Sequence, residues 1–198
     1  MAIDTSLIQS IRQQTGAGIM DVKKALEEAG GNEVEALELL KERGQKIAAK
    51  KQEERSAQEG LVESYKHAGG TVGSMILLAC ETDFVAKNDE FKELAHDIAM
   101  QVAAMSPLYI SSEDVPAEVL ATEKENIKET LSEEDLAKPA DILEKIIEGR
   151  VNKFYEEVCL MNQSFIKDDQ KKVIDVLTEK IAKLGEKLEV KQISRMSI

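Results

Sequence analysis

From Val72 to Cys80 the chain carries Met75, Ile76, Leu77, Leu78 and Ala79 in succession, the pattern of a strand with both faces covered. The residues that follow, Glu81-Thr82-Asp83-Phe84-Val85-Ala86-Lys87-Asn88, end that strand abruptly. Thr82 and Asp83 have side-chain oxygens that can accept from nearby backbone N–H groups and start a turn. Asn88 can cap a helix beyond it, with Asp89 and Glu90 where a helix N-terminus favours negative charge. Phe84 sits between these two polar devices. Its ring either plugs the core beneath the turn, with Val85, or projects outward as an aromatic anchor for a partner's pocket, and local chemistry admits both.

Upstream of this joint the spacing predicts three short helices. Asp4 or Thr5 caps the first, which carries Leu7, Ile8 and Ile11 and is ended by Gly16 and Gly18. The second bears Ile19, Val22, Ala25 and Leu26 and stops at Gly30-Gly31. Asn32 caps the third, with Val34, Leu37 and Leu40 on one face and Gly44 beyond its end. Residues 1–44 thus read as a minimal N-terminal bundle that needs most of its apolar residues for its own core. Ile19 and Met20 stand apart, since at the Thr15-Gly16-Ala17-Gly18 turn the pair serves either as a helix-start staple or as a binding element. Residues 45–60, polar and alanine-rich with Lys46, Lys50, Lys51 and Arg55, read as a linker compatible with helix, whose basic cluster serves either as a solvated face, the commoner case, or as a contact for an acidic partner.

Residues 61–198 read as the core domain. Leu61 to His67 and Thr71 to Cys80 form a hairpin about Ala68-Gly69-Gly70. Phe91, Leu94, Ala95, Ile98, Val102 and Met105 then recur at helical spacing until Ser106-Pro107, predicting a helix packed on the sheet. Two helices follow, one with Val119, Leu120, Ile127 and Leu131, the other with Leu143, Ile147, Val151, Phe154 and Val158. Their narrow apolar stripes and dense charge predict a projecting antiparallel helical hairpin over about 116–157, joined by a short turn at Lys138-Pro139. A last helix through Val173, Val176, Leu177, Ile181 and Leu184 ends at Gly185, and Leu188, Val190, Ile193 and Met196 mark a strand that joins the hairpin. The fold class is α+β: a three-helix bundle, a small antiparallel sheet packed with helices, and the helical hairpin.

The formal net charge of −12, from 38 acidic against 26 basic residues, argues against nucleic acid as a partner. The chain start lacks the basic and apolar pattern of a signal peptide, and no apolar run approaches a bilayer span, so no membrane association and a cytoplasmic setting are expected. Cys80 and Cys159 are far apart in sequence and fit a reduced compartment. The only histidines, His67 and His96, lie in no catalytic motif, no glycine pattern matches a phosphate loop, and no spacing fits a metal site. No enzyme activity, cofactor or metal is expected.

Two stretches together carry a resemblance. Ile11-Arg12-Gln13-Gln14-Thr15-Gly16-Ala17-Gly18-Ile19-Met20-Asp21-Val22-Lys23-Lys24-Ala25-Leu26 and, further on, Cys80-Glu81-Thr82-Asp83-Phe84-Val85-Ala86-Lys87 resemble, in this order, the N-terminal and core signatures of translation elongation factor Ts, the guanine-nucleotide exchange factor of elongation factor Tu. Glu148-Gly149-Arg150 with Lys153-Phe154, and Asn162-Gln163-Ser164-Phe165 to Asp168, extend the similarity nearly end to end. Ser164 stands where the family has proline, and Ala137 where it has glycine.

The resemblance implies that the N-terminal bundle, itself similar to ubiquitin-associated (UBA-like) domains, docks on the nucleotide domain of elongation factor Tu through Arg12, Gly18, Ile19, Met20 and Lys23. It implies that Thr82, Asp83, Phe84 and Val85 bind the same partner, in its GDP-bound and nucleotide-free forms, and dislocate its magnesium site. Phe84 would be the wedge, Thr82 the cap of its turn, Asp83 an orienting or partner-pairing group and Val85 the anchor to the core. Long members carry two copies of the core subdomain where this chain carries one; the short form supplies the second by dimerising, which implies a homodimer. Two competing readings are a protein-binding adaptor built on the UBA-like bundle and a Cys-His hydrolase.

Overall fold

The computed structural model describes residues 4–198. It is a mixed α+β structure with a three-stranded antiparallel sheet and a separate two-stranded one. Helices α1 (Thr5–Thr15), α2 (Ile19–Glu28) and α3 (Glu33–Glu54) come first. Asp4 caps α1 by accepting from the Ser6 amide, and Asn32 caps α3 by accepting from Val34 and Glu35. Gly16 closes α1 in the left-handed conformation at φ 68°, which its lack of a Cβ permits. Ile11, Val22, Ala25, Leu26, Ala29, Ala36 and Leu40 form one buried cluster, with Leu7, Ile8 and Leu37 against it. Truncation of a buried leucine such as Leu26 to alanine typically costs ~2–5 kcal/mol. Val34 lies outside that cluster and is exposed, so the core face of α3 is carried by Ala36 and Leu40.

Gly44 does not end α3, contrary to the expectation from sequence. The helix runs ten residues further, over much of the segment read as a linker, and the local cost of a mid-helix glycine, ~1 kcal/mol, is met by tertiary contacts. A Cβ on Gly44 would stand 3.4 Å from that of Ala182. Near the helix end Ala48 is buried, the Gln52 amide donates to the Leu188 carbonyl at 2.6 Å, and Lys187 donates to the Gln52 carbonyl at 2.8 Å.

Strands β1 (Glu59–Lys66) and β2 (Val72–Cys80) form the expected hairpin, and β5 (Glu189–Ser197) completes the sheet in the order β1-β2-β5, leaving the apolar β2 in the middle. Between them lie α4 (Asp83–Ala86), α5 (Asp89–Met105), α6 (Ala117–Glu129), α7 (Glu133–Leu136), α8 (Ala140–Val158), β3 (Ser164–Phe165), β4 (Asp168–Lys172) and α9 (Val173–Leu184). Phe91, Leu94, Ala95, Ile98 and Val102 of α5 are buried as the periodicity predicted, while Met105 at its end is exposed.

The chain forms two compact units, and neither is a contiguous stretch. One takes the chain through Glu63, Ile76–Asp97 and Asp175–Lys191; the other takes Ser64–Met75, Ile98–Ile174 and Gln192–Ile198.

Within the second unit, Ser74 donates its hydroxyl to the Ala99 carbonyl and Arg195 donates to the Ala103 carbonyl at 2.9 Å, tying strands to α5. Gln101, wholly buried, donates to the Gln163 side chain at 3.2 Å and to the Ser164 carbonyl at 3.0 Å, and accepts from the Ile166 amide at 2.8 Å. Ser164 thus contributes its carbonyl, a group that proline would also offer. α6 packs on α8. Their connection is longer than the expected proline turn: it contains α7, capped by Ser132, and Arg150 donates across to the Thr130 hydroxyl at 3.0 Å. Ala137 is right-handed at φ −79°, so glycine is not required there.

Candidate functional site

The stretch after β2 is built from short-range chemistry and held by long-range chemistry. Thr82 is the N-cap of α4: its hydroxyl accepts from the Val85 amide at 3.4 Å. Asn88 caps α5 in turn, accepting from the Glu90 amide at 2.8 Å. Asp83 and Lys87 pair across one turn at 2.7 Å, and this contact holds the Asp83 carboxyl below its ordinary range and the Lys87 ammonium above its own. Phe84, between the two caps, is 82% exposed. Of the two orientations that local chemistry left open, the ring therefore takes the outward one. Val85 is only half-buried, and no residue of α4 is buried.

Four residues of helix without a buried side chain do not hold their own geometry. The support comes from the segment after α9. Glu186 accepts from the Glu81 amide at 3.1 Å, from the Thr82 amide at 3.0 Å and from the Thr82 hydroxyl at 2.6 Å. The Glu81 carboxylate reaches the other way, to the Lys187 amide and to the Arg55 guanidinium at 3.1 Å. Burial pushes the Glu81 carboxyl up, but the Lys187 amide and Arg55 outweigh it and the net shift is downward. Beneath the turn, the Cys80 thiol donates to the Thr82 carbonyl at 3.1 Å and burial, with Glu186 nearby, pushes it up to about 11. A neutral buried thiol is no nucleophile.

The N-terminal candidates lie in the same compact unit. Ile19 and Met20 open α2 and are 54% and 61% exposed, so they do not staple its start into the core. Gly18 is the N-cap without a side-chain bond, and Asp21 occupies the first turn. Arg12, in the last turn of α1, is exposed; Lys23 is exposed and sits 3.8 Å from Glu27. The turn at Gly16 rests on Lys183, whose Cγ lies 2.7 Å from where a Cβ on Gly16 would be. Lys183 pairs with Glu90 at 2.8 Å, and Lys180 reaches the same carboxylate at 3.3 Å. Lys183 of α9 therefore packs its aliphatic stem on the turn before Ile19 and gives its ammonium to the first turn of α5, next to the Phe84 turn.

Sequence reasoning singled out Phe84 and the Ile19–Met20 pair with both orientations open, and found the local caps. It missed Glu186, Arg55, Lys183 and Glu90 as supports, for they meet their partners only through the fold. The sole local signal is that Glu186 and Lys187 follow Gly185, where α9 must stop and its chain is free to turn back.

Among the described residues, no helix is long and apolar enough to cross a membrane. A family model described as Elongation factor TS matches residues 5–198. Elongation factor Ts of Thermotoga petrophila is 49% identical over 198 residues, covering 100% of this chain and 97% of that protein. The protein of the same name from Carboxydothermus hydrogenoformans is 48% identical over 196 residues, 99% of this chain and 89% of its own length. That of Thermodesulfovibrio yellowstonii is 46% identical over 198 residues, covering 100% and 97%. With likeness of this extent running through both signature stretches and the segments between them, the chain belongs to the elongation factor Ts family of translation elongation factors.

Proposed function

We propose that this chain is the guanine-nucleotide exchange factor of elongation factor Tu and that Phe84 is the group that disturbs the partner's magnesium and phosphate site. The observation that carries this reading is the 82% exposure of Phe84 on a turn whose backbone is held at both ends. A large aromatic side chain left in water on a supported turn is arranged for insertion into another protein. Exposed Ile19 and Met20 support a second contact, through which the UBA-like bundle docks with Arg12, Gly18 and Lys23 around it.

The energetics follow from linkage. An exchange factor acts only to the extent that it binds the nucleotide-free partner more tightly than the GDP-bound one, and the same coupling weakens GDP. Bound magnesium is a large local charge on the phosphates, so displacing the groups around it loosens the nucleotide strongly. Phe84 supplies the volume; Thr82 and the Asp83–Lys87 pair set its direction, and Val85 seats the turn. No bond is made or broken, and the chain needs no cofactor. A cytoplasmic setting, with two copies paired to provide both core subdomains, completes the proposal.

The experiment is release of labelled GDP from elongation factor Tu at increasing concentrations of this chain. Phe84→Ala is expected to lower the maximal rate on the order of tenfold, equivalent to ~1.4 kcal/mol, with the fold intact. Ile19→Ala and Met20→Ala are expected to raise the half-saturating concentration and leave the maximal rate in place. Parent kinetics from Phe84→Ala would remove the wedge from the mechanism.

A further inference from the structure

We infer that Glu186 is a positioning residue for the Phe84 turn, acting as one half of a reciprocal carboxylate latch; the inference rests on the exchange reading above. The latch joins two segments far apart in sequence, the end of β2 and the residues after α9. Each segment contributes one carboxylate to the other's backbone: Glu186 to the amides of Glu81 and Thr82, and Glu81 to the amide of Lys187. Arg55, at the end of α3, closes the arrangement by donating to both oxygens of Glu81, at 3.1 and 3.2 Å.

The chemistry at Thr82 makes this more than a tie between segments. A hydroxyl has one proton, and here it goes to Glu186 at 2.6 Å. The lone pairs are thereby turned toward the Val85 amide, the bond that caps α4 and sets where Phe84 leaves the backbone. Glu186 thus orients the cap, the cap orients the helical turn, and the turn carries an aromatic ring with no packing of its own to hold it. Charge-assisted hydrogen bonds of this kind are about twice as strong as neutral ones, and three converge on one carboxylate. Without them the ring samples many directions, and insertion must first select one.

The test combines GDP-release kinetics with amide hydrogen exchange in the full chain. Glu186→Ala is expected to lower the maximal release rate about tenfold while the half-saturating concentration, set by docking, stays within about twofold. Glu186→Gln keeps an acceptor for the two backbone amides but turns an N–H toward the Thr82 hydroxyl in place of an acceptor, and is expected to recover only part of the rate. In a Phe84→Ala background the Glu186→Ala change is expected to add nothing, because the group it positions is gone. The Thr82 and Val85 amides are expected to exchange faster in Glu186→Ala, with the three-helix bundle unchanged as the internal control for folding. Parent kinetics in Glu186→Ala, multiplied losses in the double variant, or unchanged exchange at Thr82 and Val85 would each overturn the latch. Should Phe84→Ala itself release GDP at the parent rate, the wedge reading fails separately, and amide exchange alone then decides the latch.

Discussion

Glu90 shows at the scale of one residue how local and distant chemistry divide. Its place in the first turn of α5 is written in the sequence, since Asn88 caps that helix and a carboxylate belongs near its N-terminus. Its partners are not, because Lys183 and Lys180 come from α9. Lys183 foremost, then Lys180, hold the Glu90 carboxyl below its ordinary value of 4.5. A carboxyl depressed in the fold contributes stability above its unfolded value and loses it as pH falls through the folded one. Thermal unfolding across pH should therefore find Glu90→Gln less stable than the parent at neutrality, by under ~1 kcal/mol for so exposed a cluster, with the difference closing at acid pH. A constant difference across that range would assign the effect to packing instead. Phe84 divides in the same way: its polar frame was legible, but the carboxylate that bonds the backbone ahead of its turn comes from Glu186, 105 residues beyond Glu81.

Elements were legible where their causes are periodic or local. The alternation of α5, the two hairpin strands and the helix caps all follow from near neighbours, and they fall where spacing put them. α3 passing through Gly44 does not, since its last turns meet Ala182, Lys187 and Leu188 from far along the chain, and the short α7 and the β3–β4 pair, though local, carry too few residues to show a period. Ser164–Phe165 and Asp168–Lys172 are too short and too polar to announce strands. Gly60 is the element-scale constraint that sequence hid most completely. It has φ 148°, and a Cβ there would lie 2.2 Å from the Leu78 carbonyl oxygen of the adjoining strand. Gly60→Ala must move backbone and occupy a conformation nearly reserved for glycine, so denaturant unfolding should show a loss of at least ~3 kcal/mol. A loss within ~0.5 kcal/mol, typical of a surface site, would mean that β1 shifts freely against β2.

For the molecule as a whole, family membership was readable from two signature stretches and the α+β class from the order of helical and strand-like runs along the chain, whereas the interleaving of the two compact units was not. The pairing of two copies proposed above has a mass as its expected outcome. Light scattering after size exclusion should give twice 21.9 kDa, and a single-chain mass held across concentrations would exclude it. The interleaving and the latch also bear on how the protein is made. The unit that displays Phe84 needs Asp175–Lys191, and the carboxylate that orients its turn is residue 186 of 198. A chain emerging from the ribosome N-terminus first can assemble its three-helix bundle early, from neighbouring helices, but it has no supported Phe84 turn until Asp175–Lys191 has followed. On the exchange mechanism proposed above, a chain cut before Glu186 is expected to keep its docking bundle and lose the support of its Phe84 turn.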